Sequence, residues 1–264
     1  MIDLHSHILP GIDDGAKTLD VALEMAAMAV ADGIHTMACT PHIYPGLYLN
    51  DATGITRARD ALQAELDTRG VALRLLVGAD VHLVPGLLAD VREGRVPTLA
   101  GSRYLLLEPS HHVMPPRFEA SVFELVAAGY TPVITHPERL TWVGSHADLF
   151  ERLVRQGAWL QLTAGALTGS FGERIRQRAE KFVTDGQAHL LATDAHSAGR
   201  RRPQLSAARA VVERLVGAAE ATRMVLDRPQ AILDDLPPSR VEPPPQPQPQ
   251  QGGWLKKLLP GLRL

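Results

Sequence analysis

The sequence predicts an α/β fold in which a parallel sheet, covered by helices, closes into one barrel-like domain. Apolar segments of strand length alternate with amphipathic segments of helix length over about 235 residues. The strand-like segments are short continuous apolar runs, the pattern of strands buried on both faces. About seven such units in that length suit one barrel better than two separate domains. Of the 264 residues, 45% are hydrophobic and 21% charged, so the chain can bury a full core and still be soluble.

Ile2 and Leu4 read as inward positions of a first strand, which runs into His5-Ser6-His7 and a loop holding Asp13, Asp14 and Gly15. Thr18 caps a helix that Gly33 ends. Ile34–Thr40 is a strand finished by Pro41-His42, 45–51 is loop, and Ile55–Arg69 is an amphipathic helix. Val71–Val77 is a strand leading into Gly78-Ala79-Asp80. A short helix over Gly86–Gly94 precedes the strand Tyr104–Leu107, which ends at Glu108. Helices over Phe118–Ala128, Ala147–Gln156 and Gly172–Asp185 alternate with strands over Thr131–Thr135, Ala158–Leu162 and His189–Thr193. Helical stretches near Gln204–Val216 and Ala219–Leu226 complete the packed region, taken as 1–236. Residues 237–253 read as a disordered Pro/Gln-rich linker, and 254–264 as a short apolar and basic tail.

A formal net charge of −2 leaves no electrostatic footprint for nucleic acid. No apolar run approaches the roughly 18 residues of a membrane helix, and no basic segment followed by an apolar one marks a signal peptide. Cys39, the single cysteine, rules out an intrachain disulfide and fits the cytoplasm. It also lacks the arginine-bearing loop that a cysteine-dependent phosphatase needs, so it reads as a buried strand residue. The sequence contains no Gly-x-Ser-x-Gly elbow and no phosphate-binding glycine loop with lysine.

Polar residues sit at the strand ends. His5, His7, His42, Asp80, Glu108, His136, Asp194 and His196 all fall at or just after the C-terminal end of an expected strand. In a parallel barrel those ends converge on one face. A single histidine there is ordinarily structural, but imidazoles and carboxylates at successive ends make a divalent metal site. Ligands of this kind without thiolate suit manganese, iron or zinc. Their number exceeds the needs of one ion, and clusters of two or three ions hydrolyse phosphate esters by supplying hydroxide and neutralising phosphoryl oxygens. Arg139 follows His136, and Arg200, Arg201 and Arg202 follow His196, where guanidinium groups clamp phosphate.

His5-Ser6-His7 with Asp13-Asp14-Gly15, Thr40-Pro41-His42, Glu108, Thr135-His136-Pro137-Glu138-Arg139 and Asp194-Ala195-His196-Ser197 resemble the polymerase and histidinol phosphatase (PHP) superfamily. Within it they look like the bacterial tyrosine-protein phosphatases of capsule and exopolysaccharide loci. The resemblance implies a distorted (β/α)7 barrel with a three-metal centre, usually manganese, with zinc, iron and cobalt as other candidates. Carried over by position, one ion takes His5, His7 and Asp194, a second Glu108 and His136, and a third Asp14, His42 and His196. Asp80 bridges the first two ions where the family usually has Glu; it is one methylene shorter, and His82 nearby has no assigned role. Arg139 and Arg201, with Arg202 beside them, hold the phosphate.

A phenol pKa near 10 makes tyrosinate a leaving group that needs little protonation, which favours phosphotyrosine over phosphoserine. The resemblance adds a partner, a tyrosine autokinase with a phosphorylated tail. Two alternatives stand beside this reading: a small-molecule phosphatase such as histidinol-phosphate phosphatase, and a metal-binding regulatory subunit without catalysis. Trp254, Leu255 and Lys256 give the tail a composition fit for docking on a membrane or on the kinase, whereas Pro260 and its brevity favour plain disorder.

Overall fold

The computed structural model describes residues 1–246; the tail read at 254–264 and residues 247–253 of the linker lie outside them. Strand β1 (Ile2–Ser6) is followed by helix α1 (Leu19–Ala31), capped by the Thr18 hydroxyl, which accepts from Val21 N. β2 (Thr36–Cys39) stops at Thr40-Pro41, and the path resumes as β3 (His42–Tyr44). β3 turns back antiparallel into β4 (Tyr48–Leu49), a hairpin where the sequence predicts only loop. Asp51 caps α2 (Ala52–Thr68). β5 (Arg74–Val77) and β6 (Asp80–His82) likewise share one path broken at Gly78-Ala79.

After α3 (Leu87–Arg92) come β7 (Tyr104–Glu108), α4 (Phe118–Ala127), β8 (Thr131–Thr135), α5 (Ala147–Arg155) and β9 (Trp159–Thr163). Then follow α6 (Ala164–Leu167), α7 (Glu173–Thr184), β10 (Leu190–Ala192), α8 (Ser206–Val216), α9 (Ala218–Thr222) and α10 (Arg228–Leu233). α6 and α10 have no counterpart in the sequence reading, because neither is long enough to display a helical period.

β1, β2 and β5 pair in parallel; β3, β6, β7, β8, β9 and β10 form a second parallel run with β4 on its edge. The breaks after β2 and β5 let two chain paths serve both sheets. At the other seam Ser6 bridges Ala195 in parallel, with Asp194 N on His5 O and His7 N on Ala195 O at 2.8 Å each. Buried Asp3 reinforces this seam, accepting from Thr193 N at 3.0 Å and Thr193 Oγ1 at 2.5 Å. Burial raises the Asp3 pKa to about 6 against the pull of those hydrogen bonds.

The strands divide the apolar residues between two cores. Ile2, Leu4, Ala38, Leu76, Tyr104, Leu106, Val133, Trp159 and Leu190 form an inner cluster that Ile232 of α10 joins. A larger cluster, including Met25, Leu62, Val122, Phe150 and Val212, packs helices against strands. Each such side chain taken from water stabilises the fold by about 1.5–3 kcal/mol before entropy is counted. Cys39 is fully buried, and burial pushes its thiol pKa far up, in line with a structural residue.

The expected linker needs correction at its start. Arg228, 1% exposed, pairs with Glu220 at 2.6 and 3.0 Å and donates to His189 O. Its Nε donates to Glu242 O at 2.9 Å, while Val241 packs on the inner cluster and Pro244 is buried. A buried guanidinium needs acceptors for all its N–H groups, and this stretch of backbone supplies one. Residues 237–244 therefore run along the body rather than starting a free linker. Among the described residues no helix is long and apolar enough to cross a membrane.

Candidate metal centre

The C-terminal strand ends bring the nominated side chains together. In β1 the register slips by one residue between Asp3 and Ser6. That bulge lets Leu4 join the inner core while His5 and His7 still aim into the site, a re-aiming that strict alternation forbids. His136 and Asp194 turn inward by left-handed backbone, φ +35° and +51°, a strained conformation for non-glycine residues that concentrates at functional sites. Gly15 closes the loop behind His7, where a Cβ would lie 2.0 Å from His7 O, so no other residue fits.

His5 and His7 are oriented from behind. His5 Nδ1 lies 2.8 Å from Gln161 Oε1, and His7 Nδ1 lies 2.7 Å from Asp13 Oδ2. With each Nδ1 turned to an acceptor behind the ring, Nε2 is the atom each imidazole presents to the site. These Nε2 atoms face each other at 3.2 Å, with Asp194 Oδ1 at 3.4 and 3.3 Å from them and Asp80 Oδ2 at 3.4 Å from that of His5. Two imidazole nitrogens and two carboxylate oxygens turned on one point call for positive charge between them, which protons on the imidazoles supply in the metal-free chain and a divalent cation would supply when bound. Asp80 supports the same conclusion: fully buried, neither of its oxygens has a hydrogen-bond donor. Its Oδ2 is 3.4 Å from His42 Nδ1 and 4.0 Å from His136 Nε2, so the shorter carboxylate still reaches the middle of the cluster.

A second group joins Asp14 Oδ1 to His42 Nε2 at 3.5 Å and His196 Nε2 at 3.4 Å, with the His7 ring 4.0 Å from that of His196. A third joins Glu108 to His136 at 3.7 Å. It also takes in two imidazoles outside the assigned set, His111 at 3.3 Å and His82 at 3.5 Å from Glu108. Tyr44 stacks on His82 and Tyr48 on His42. Arg139 Nη1 and Arg201 Nη2 both pair with Asp194 Oδ2. Arg202 donates its Nε to Gly199 O and is exposed.

Burial disfavours charge throughout this site, and neighbouring groups decide where charge survives. His5, Arg201, His7 and Arg139 overcome burial at Asp194 and hold its pKa well below the carboxylate range. Asp13 and Asp194 outweigh burial at His7 and raise its pKa to about 10. At His136 burial and then Arg139 drive the pKa well down, and at His196 burial and then His7 lower it to about 4. The site thus combines ionised carboxylates with imidazoles that include neutral ones, a donor set for hard and borderline divalent cations.

Four partners escape the sequence reading. Gln161 holds His5; its only signal is an amide inside an otherwise apolar strand. Asp13 ranks behind its neighbour Asp14 by sequence yet holds His7, Gly15 N and His42 N. His111 lies in a loop, where spacing gives no sign that it reaches Glu108. Glu138 is buried and accepts from Thr163 N at 2.9 Å, tying β8 to β9; burial raises its pKa to about 7.

A sequence profile for capsular polysaccharide synthesis proteins CpsB/CapC matches residues 1–234. The chain belongs to this family. Among CpsB/CapC relatives, the tyrosine-protein phosphatase YwqE of Bacillus subtilis is 34% identical over 249 residues, covering 94% of this chain and 96% of its own. The tyrosine-protein phosphatase CpsB of Streptococcus pneumoniae is 28% identical over 242 residues, covering 89% and 99%. A crystal structure from work on YwqE and CpsB, described as unique metal-dependent tyrosine phosphatases, superposes with a TM-score of 0.88 at 31% identity, covering 95% of this chain and 100% of that one. A histidinol phosphate phosphatase from Lactococcus lactis shares the fold at a TM-score of 0.56 and 12% identity, covering 81% and 94%.

Proposed function

We propose that this chain is a metal-dependent protein-tyrosine phosphatase of capsule or exopolysaccharide synthesis, built on a distorted (β/α)7 barrel. The observation that carries the reading is the pair of oriented imidazoles, His5 and His7, with Nε2 atoms 3.2 Å apart between two buried carboxylates. Family membership and the YwqE match support the substrate class.

His5, His7 and Asp194 would hold one ion, Glu108 and His136 a second, and Asp14, His42 and His196 a third, with Asp80 between the first two. Manganese is the first candidate, with zinc, iron or cobalt as alternatives. When bound, such ions supply a nucleophile near neutral pH and neutralise charge on the phosphoryl group. The chain's own part is orientation. Gln161 and Asp13 fix the tautomers of His5 and His7. Asp194 holds Arg139 and Arg201 from one side, leaving their remaining N–H donors for phosphoryl oxygens. Arg202, whose Nε donates to Gly199 O, lines the same cleft as Arg201 and would stand beside that clamp. The leaving phenolate needs little protonation, consistent with phosphotyrosine.

A cytoplasmic tyrosine autokinase with a phosphorylated tail is the proposed partner. The test is metal rescue. Chelated protein should lose turnover of a phosphotyrosine peptide and regain it with manganese, zinc, iron or cobalt to differing extents. Turnover that survives chelation, or survives His136→Ala with metal in excess, refutes the reading.

A further inference from the structure

Beside the arginine pair the chain forms a cleft of about 420 Å³ between the segment after β9 and the segment around Gly199–Gln204. Thr163, Gly165, Phe171 and Arg201 are among the residues that line it. The Phe171 ring packs under Arg139, whose guanidinium carbon is 4.8 Å from the ring centroid, while the same guanidinium pairs with Asp194. Phe171 is only partly buried and lines the cleft. Its seat depends on Gly165, where a Cβ would come within 3.0 Å of Phe171 Cε2.

We infer that this cleft receives the aromatic ring of an aryl phosphate, with Phe171 as the wall on which the ring stacks. The inference rests on the phosphatase reading and assigns that site its selectivity element. A phosphate held by Arg139 and Arg201 can send its ester group toward Phe171 or toward the rim of Tyr44 and Tyr48. Those tyrosines are already engaged: Tyr44 lies 3.9 Å from the His82 ring at 13°, and Tyr48 lies 5.5 Å from the His42 ring at 19°. Among the described residues no ring stacks on Phe171, and it touches the clamp directly through Arg139. A serine ester would gain little from such a wall, whereas a phenyl ring gains area and stacking.

The test uses the metal-loaded full chain and two stable probes, phenylphosphonate and methylphosphonate, bound by calorimetry. The native protein should bind the phenyl compound about tenfold more tightly than the methyl one. Phe171→Ala should abolish that margin, weakening phenylphosphonate binding about tenfold more than methylphosphonate binding. It should raise KM for a phosphotyrosine peptide about tenfold more than KM for a phosphoserine peptide. Phe171→Tyr should restore the margin, and Gly165→Ala, which displaces the ring, should erode it. Equal weakening of both phosphonates by Phe171→Ala would reduce Phe171 to a prop for Arg139 and overturn the inference. So would a margin that survives Phe171→Ala and disappears in Tyr48→Leu. A protein that shows the margin yet hydrolyses no phosphate ester would refute the phosphatase reading and uphold the cleft; a hydrolase without the margin would do the reverse.

Discussion

Asp13→Asn is the substitution most directly worked out from the geometry. One carboxylate serves three N–H donors: His7 Nδ1 at 2.7 Å, Gly15 N at 2.8 Å and His42 N at 3.2 Å. The amide has the same shape but only one acceptor atom, so its NH2 must face at least one of these donors. The His7 contact loses its charge assistance, worth about 1.5–3 kcal/mol for a hydrogen bond to a charged group. Asp13 is not itself placed to bind an ion; it sets the His7 tautomer and ring orientation. Replacing such a partner costs about 10- to 100-fold in metal affinity, or about 1.4–2.7 kcal/mol. Manganese titrated calorimetrically into chelated protein should show that loss, and saturating manganese should restore most phosphotyrosine turnover. Asp14→Asn removes a proposed ligand, and excess metal should not rescue it to the same degree. Unchanged manganese affinity in Asp13→Asn would refute the orienting role.

Arg201→Lys should lower kcat on a phosphotyrosine peptide about 10²-fold, since a point charge cannot both pair with Asp194 and fork onto phosphate; turnover assays check this. Gly15→Ala should destabilise the chelated protein by at least about 3 kcal/mol in urea unfolding, because its Cβ would overlap His7 O at 2.0 Å. Buried His189 stacks on Trp159 and accepts from Leu160 N at 3.3 Å; burial and then Arg228 lower its pKa to about 3. The unfolded chain binds this proton near pH 6.5 and the native chain does not, so stability falls as pH drops through the window from about 6.5 to 3. In urea titrations of chelated protein, His189→Asn should be less pH-dependent there, by up to about 1.4 kcal/mol per pH unit. Arg228→Met should strand Glu220 in the interior and cost about 3–5 kcal/mol, read by the same method.

The sequence by itself determined the succession of strands and helices and the polar residue at most strand ends. These are local properties: apolar period, the cap at Thr18 and glycine stops show within a few residues of one another. The parallel topology then follows, and with it the convergence of His5, His42, Asp80, Glu108, His136 and Asp194 on one face. Tertiary structure alone decided which atoms meet. The β1 bulge that aims His5 into the site depends on pairing with β2, whose register with β1 begins at Ile2 opposite Thr36. Gln161 reaches His5 across 156 residues, and Asp3 reaches Thr193 across 190. Neither leaves a mark in local spacing. The β3–β4 hairpin and the run of 237–244 along the body were hidden for a related reason, since short or proline-rich segments show no period and are held by contacts made elsewhere. Phe171 belongs to the same class: a loop phenylalanine in sequence, it becomes a wall beside the arginine clamp only once Gly165 and Arg139 are folded against it.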